Sequence, residues 1–212
     1  MKTASSKKLI SATVEVENAK PTWPSGPTSN EFIMWSQKRG SSIHPGYLIS
    51  GDRLFVCYDS GLLGCFNAKT GEMKEYQLPG NAYPHTIELD AKGNAWYTGN
   101  KNGTIGYLDP KSGQFKVYKM PDPNAKDPHS LHFDQGGILW FTLQQSNMMG
   151  RLDPRSGEIK LITSPTPRSR PYGVIVNSKG IPFVALFGVN KIAAIDPATM
   201  ASRSSAASPA AP

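Results

Sequence analysis

At 212 residues, with 38% hydrophobic and 9% aromatic side chains, the chain can bury a core, and no apolar run reaches the 18 residues of a membrane span. Composition therefore excludes an integral helical membrane protein and a wholly disordered one. The formal charge of +7 does not point to nucleic acid, because no arginine cluster with interleaved aromatics and no RNA-binding signature is present.

Residues 1–27, ending in KPTWPSGP, are polar and without period and are expected to form a disordered leader. Its apolar stretch LISATV (9–14) is shorter than a signal-peptide core. A soluble protein follows, its compartment open, with the cytoplasm favoured. EFIMWSQ (31–37) is a β-prone run with the length and pattern of the last strand of a four-stranded unit.

Four such units follow, at about 38–79, 80–121, 122–165 and 166–200. Asn67, Asp109, Asp153 and Asp196 mark their shared register, spaced by 42, 44 and 43 residues. The second shows the plan: strands HTIELD, NAWYTGN, TIGYLD and FKVYKMP, joined by the turns AKG, KNG and PKSGQ. A four-stranded meander repeated every 43 residues or so predicts an all-β fold, a β-propeller of antiparallel blades. Lysines on last strands, Lys74, Lys116, Lys119 and Lys160, guard exposed edges against aggregation. Asp-Pro-x-Ser-Gly at 109–113 and 153–157 reads as a turn and not a calcium loop, since alternating oxygen ligands are missing. Cys57 and Cys65 on neighbouring strands read as free thiols.

The last unit stops at KIAAIDPATM, and 201–212 reads as a disordered tail without a strand. Two readings stay open, a closed four-blade ring or a fragment of a seven-blade propeller. In the ring EFIMWSQ pairs with KIAAIDP and supplies the missing outer strand. In an open arc the flanks around Phe55, Val56, Phe183 and Val184 lie bare and favour self-association.

First strands line the channel of a propeller, so positions matched across the repeats should meet at one mouth. Eleven residues before Phe55, Trp96, Trp140 and Phe183 stand His44, His85, His129 and Tyr172. The second strands end, on the same face, at Asp59, Asn100, Gln144 and Phe187. Histidines converging by symmetry suit proton transfer near neutral pH, and the plain alternative is that each ring caps an inner strand. His132 is expected to pack between Leu131 and Phe133. Phe55, Trp96 and Trp140 are expected to pack between blades, and Met148 and Met149 to fill core.

The blades PHTIELDAKGNAWYTGNKNGTIGYLDPKSGQFKVYKMP and PHSLHFDQGGILWFTLQQSNMMGRLDPRSGEIKLITSP resemble the virginiamycin B lyase (streptogramin lyase) family over about residues 40–200. The resemblance implies a propeller, seven-bladed in the family, and a magnesium-dependent carbon–oxygen lyase that linearises a cyclic depsipeptide antibiotic by elimination at its ester. It implies His129 as base, His85 as the histidine of the preceding blade, and Asp127 and Gln144 at the metal positions. Gln144 departs from the family carboxylate, and a neutral amide supplies no charge to Mg²⁺. The expected partner is a small molecule or cyclic peptide, with no nucleic acid and no membrane. A non-catalytic propeller binding a small molecule, peptide or protein at the channel mouth is the alternative.

Overall fold

The computed structural model of the chain describes residues 46–206. The first sheet comprises β1 (Tyr47–Ser50), β2 (Arg53–Tyr58), β3 (Leu62–Asn67) and β4 (Met73–Gln77), and the second β5 (Pro84–Leu89), β6 (Ala95–Gly99), β7 (Thr104–Leu108) and β8 (Phe115–Lys119). The third has β9 (Pro128–Phe133), β10 (Leu139–Leu143), β11 (Met148–Leu152) and β12 (Ile159–Thr163), and the fourth β13 (Pro171–Val176), β14 (Pro182–Leu186), β15 (Lys191–Ile195) and β16 (Ser202–Ala206). Each sheet is an antiparallel meander in sequence order. First strands of successive sheets lie against one another, β5 on β9 and β9 on β13, as propeller blades pack.

β16 corrects the expectation that the last blade lacks its outer strand and that 201–212 is unstructured throughout. Ser202–Ala206 pairs along the whole of β15, from Ile195↔Ser202 to Lys191↔Ala206. The other edge of β15 is held by β14, so neither is left for EFIMWSQ, whose own residues lie outside those described. Backbone donors and acceptors drove this pairing, since SRSSA has almost no apolar side chain to contribute. Phe55, Val56 and Val184, named above as bare flanks of an open arc, are buried, and Phe183 is half-buried.

Turn chemistry recurs at two places in the repeat. Asp90 and Asp134 each accept the indole N–H of the tryptophan six residues on, Trp96 at 3.2 Å and Trp140 at 2.9 Å, while their second oxygens take two backbone N–H groups of the turn. This fixes each tryptophan at the seam with the next blade: Trp96 packs among Leu131, Leu139 and Phe141, and Trp140 among Val174 and Val184. Asp109 and Asp153 cap their turns through their carboxylates, accepting Lys111 N–H and Arg155 N–H. The Ser112 hydroxyl on Asp109 and the Arg155 guanidinium on Asp153, with those backbone N–H groups, hold both carboxyls below the usual range.

The blade interior depends on a cross-strand match. On second strands Tyr97 faces Gly106 and Phe141 faces Gly150, whereas in the last blade Val184 faces Ala193. A Cβ on Gly106 would fall inside the Tyr97 ring, so the glycine is there for close approach of the aromatic. Tyr97 is fully buried and its hydroxyl has no hydrogen-bond partner. A stranded buried hydroxyl costs about 1–3 kcal/mol, and the equivalent Phe141 has none. Tyr97→Phe is expected to stabilise the fold by about 1 kcal/mol in denaturant titration; a loss of stability would show that the hydroxyl has a partner.

Candidate functional site

Proline opens the first strand of each of the last three blades, and the residue before it carries a positive φ: 51° at Tyr83, 60° at Asp127 and 48° at Arg170. A left-handed backbone is strained for side chains of these kinds. Its recurrence turns three different side chains to the same face of the molecule. After each proline comes a ring, His85, His129 and Tyr172. The ring centroids of His85 and His129 are 4.1 Å apart at 43°, and those of His129 and Tyr172 are 4.1 Å apart at 42°. Phe187, the second-strand position of the last blade, extends this ladder, 5.6 Å from Tyr172. The structure thus brings His85, His129 and Tyr172 together; His44 lies outside the described residues.

The ladder is hung from the preceding blade. First and second strands pair out of register beside each ring, and on the second and third blades a threonine hydroxyl fills the gap. Thr98 Oγ1 accepts from Thr86 N–H at 2.9 Å and donates to the carbonyl of His129 at 3.2 Å, which Thr86 Oγ1 also meets at 2.7 Å. Thr142 Oγ1 likewise accepts from Ser130 N–H at 3.1 Å and donates to the Tyr172 carbonyl at 2.6 Å. Both threonines are fully buried. Sequence reasoning passed over them, although each ends a W-aromatic-T triplet.

Asp127, two residues before His129, is buried. Its Oδ1 accepts from Asn100 Nδ2, while Oδ2 is buried with no hydrogen-bond partner. Burial pushes the carboxyl above its ordinary value, opposed by the Asn100 amide, the Gln145 N–H and the charges of His85 and Arg170. Asn100 ends the second strand of the preceding blade, and Asp59, its equivalent one blade earlier, likewise hydrogen-bonds Tyr83. Gln144 meets Asp127 through its backbone N–H, which donates to the Asp127 carbonyl at 3.2 Å. The side chain that reaches the Asp127 carboxylate is therefore Asn100, because a second strand ends against the next blade's opening residue.

This donor set does not suit Mg²⁺. One carboxylate with an oxygen engaged by Asn100, beside neutral amides, is poor in charge for a hard cation. Among the described residues no three His, Cys, Asp or Glu side chains gather as a metal site. A groove of about 1030 Å³ runs from Asp127 between the second and third blades, past Asn100, Lys101, Lys119 and Lys126. No helix among the described residues is long and apolar enough to cross a membrane.

His132 corrects the expectation of a packing residue. Its Nδ1 is 3.1 Å from Glu88 Oε1, and Glu88 Oε2 accepts from Phe133 N–H at 3.1 Å. Its alternation on β9 sends it to the neighbouring first strand and not into the blade. Burial pushes the Glu88 carboxyl up to about 7 and the His132 imidazole down. Between the ordinary carboxylate value of about 4.3 and about 7 the folded protein holds a proton that the unfolded chain has lost. Raising the pH through that window removes Glu88's contribution to stability, while His132 acts in the opposite sense because its folded form is the neutral one. Glu88→Gln isolates the first effect: the stability of the parent minus that of the variant should fall between pH 5 and about 7. A difference independent of pH would show that Glu88 titrates normally.

All-β blades with a ring-lined mouth define a β-propeller protein. The chain belongs to the virginiamycin B lyase family, whose model matches residues 48–210. Among solved structures it is similar to selenomethionine-substituted virginiamycin B lyase from Staphylococcus aureus, at 26% identity and a TM-score of 0.70 over 76% of this chain and 55% of that one. It is similar also to a catalytically inactive histidine-to-alanine variant of that enzyme with quinupristin, at 25% identity and a TM-score of 0.72 over 81% and 58%. The chain thus spans a little over half the length of these relatives. The nidogen/laminin complex shares the fold alone, at 18% identity and a TM-score of 0.63 over 80% of this chain and 65% of that one. No curated protein matches the chain. With 1063 solved chains matching, architecture by itself names no activity.

Proposed function

We propose that the chain is a carbon–oxygen lyase that opens a cyclic ester or depsipeptide at the ring-lined mouth. The observation that supports this reading best is the His85–His129 pair at 4.1 Å, set beside a buried carboxylate with an unpartnered oxygen. His129 takes the proton alpha to a carbonyl. The C–H electron pair becomes a C=C bond, the ester C–O bond breaks, and the acyl group leaves as a carboxylate with the electrons of that bond. Imidazole suits the step because its ordinary pKa of about 6.5 lies near working pH. His85, in contact with His129 on one side, positions that ring, and Asp127 offers negative charge to the imidazolium that forms. The groove beside Asp127 has the size for a macrocycle.

Magnesium is what the family resemblance implies, and no step here is routed through it. The test is to incubate the protein with a streptogramin B such as quinupristin, with Mg²⁺ and with chelator, and to follow products by mass spectrometry. Elimination gives a ring-opened isomer of unchanged mass, whereas hydrolysis gives a product one water heavier. Intact antibiotic in every arm would overturn the lyase reading. A second reading, a non-catalytic propeller that binds a ligand at the mouth, is favoured by Gln144 standing where a carboxylate is expected; intact antibiotic that nonetheless shifts the protein's melting temperature would support it.

A further inference from the structure

Three lysines line the groove beside Asp127: Lys101 from the turn between β6 and β7, Lys119 from the end of β8, and Lys126 from the connection into β9. All three are exposed, and among the described residues none of their ammonium groups meets a carboxylate or an aromatic ring. Other lysines are engaged. Lys69 pairs with Asp52 and Lys160 with Glu158, while Lys74 and Lys116 lie 4.8 and 4.7 Å from the ring centroids of Tyr76 and Tyr118. Side chains two apart on a strand point the same way, so β8 sets the exposed Val117 beside Lys119, and the half-buried Met120 and Tyr83 extend this apolar wall. The connection that carries Lys126 is pinned, its N–H donating to Ser146 Oγ at 2.7 Å while that hydroxyl donates to the Asn124 carbonyl at 2.7 Å. Asp122, the second acid of the groove, caps its own turn by accepting Asn124 N–H at 2.8 Å.

Unpaired ammonium groups along an apolar wall are complementary to carboxylates on an apolar chain. Asp127 narrows the class further. It lines the same groove, and its buried Oδ2, without a hydrogen-bond partner, calls for a donor. A peptide N–H supplies one, whereas a phosphate ester brings only negative oxygens, which a carboxylate repels. Arginine, whose planar fork suits phosphate, does not occur in the lining. We propose that the groove binds an acidic peptide or depsipeptide chain, its carboxylates on Lys101, Lys119 and Lys126, its apolar side chains on Val117 and Met120, and a backbone N–H on Asp127 Oδ2. This names the class of ligand for the groove that the lyase reading gives to its macrocycle, and it rests on that reading only for what happens to the ligand next.

The test is calorimetric titration of the whole chain, without turnover, with a short capped peptide alternating leucine and glutamate, with its leucine–glutamine counterpart, and with inorganic triphosphate. The glutamate peptide should bind the parent about tenfold or more tightly than the glutamine peptide, the combined worth of several exposed ion pairs. The triple variant Lys101→Gln, Lys119→Gln, Lys126→Gln should lose that preference and, because the three side chains are exposed, melt as the parent does. Salt near 1 M, where screening acts within about 3 Å, should abolish most of the preference as well. Asp127→Asn, which sets an amide donor where the peptide N–H would bond, should weaken the glutamate peptide several-fold and strengthen triphosphate. No binding of the glutamate peptide, equal binding of the two peptides, or equal binding by the parent and the triple variant would overturn the proposal, as would triphosphate binding more tightly than the glutamate peptide. Peptide binding as expected with intact antibiotic in the turnover assay would remove the lyase reading and leave this site standing; ring opening without peptide binding would remove this site alone.

Discussion

His129→Ala is expected to lower the rate of ring opening by about 10²–10⁴-fold, the contribution typical of a general base. The loss should be chemical and not conformational. What anchors residue 129 is its backbone carbonyl, held by Thr86 Oγ1 and Thr98 Oγ1, and alanine retains that carbonyl. The variant should therefore melt cooperatively and still bind substrate, with kcat carrying most of the effect. His85→Ala should cost less, since His85 acts by supporting the His129 ring from one side while Tyr172 supports it from the other. Single-turnover mass spectrometry on both variants checks the order; a His129→Ala variant within a few-fold of the parent would take the base role away from it.

For stability, the largest expected effect is at Gly106. Gly106→Ala places a methyl inside the space of the Tyr97 ring, and both residues sit mid-strand on the two inner strands, which are buried almost throughout. Neither strand can shift without breaking ladder bonds, so the variant should lose about 3 kcal/mol or more, at the upper end for overpacked cores. The fourth blade tolerates alanine at this place because Val184, not an aromatic, faces Ala193. Copying that pair, Tyr97→Val with Gly106→Ala, should recover much of the loss, and a double-mutant cycle in denaturant should show coupling of about 1–3 kcal/mol. Additive single effects would mean that the two residues do not compete for one space.

The period was legible because turn residues and tryptophans recur at fixed spacing, and counting from Phe55, Trp96 and Trp140 was enough to place His85 on His129. Position along a repeat predicts convergence even when nothing is known of side-chain conformation. Contacts across a seam were harder to read. Asn100 on Asp127 and Thr98 on His129 join residues of different blades, and their pairing depends on where each blade's second strand ends. SRSSA was passed over because composition reports side-chain burial, whereas a last strand can be recruited by backbone pairing alone. His132 was read from its sequence neighbours, and its partner Glu88 comes from 44 residues earlier, on another blade.

The threonine bridges make the mouth a shared possession of adjacent blades. His129 takes its place from a hydroxyl on β6, and Tyr172 takes its place from one on β10. Alignment of the rings is thus set by how far each blade is rotated against its neighbour, and a small slippage at one seam would carry a whole ring with it. The first blade has Cys57 where the second and third have Thr98 and Thr142, and its sulfur is a far weaker donor.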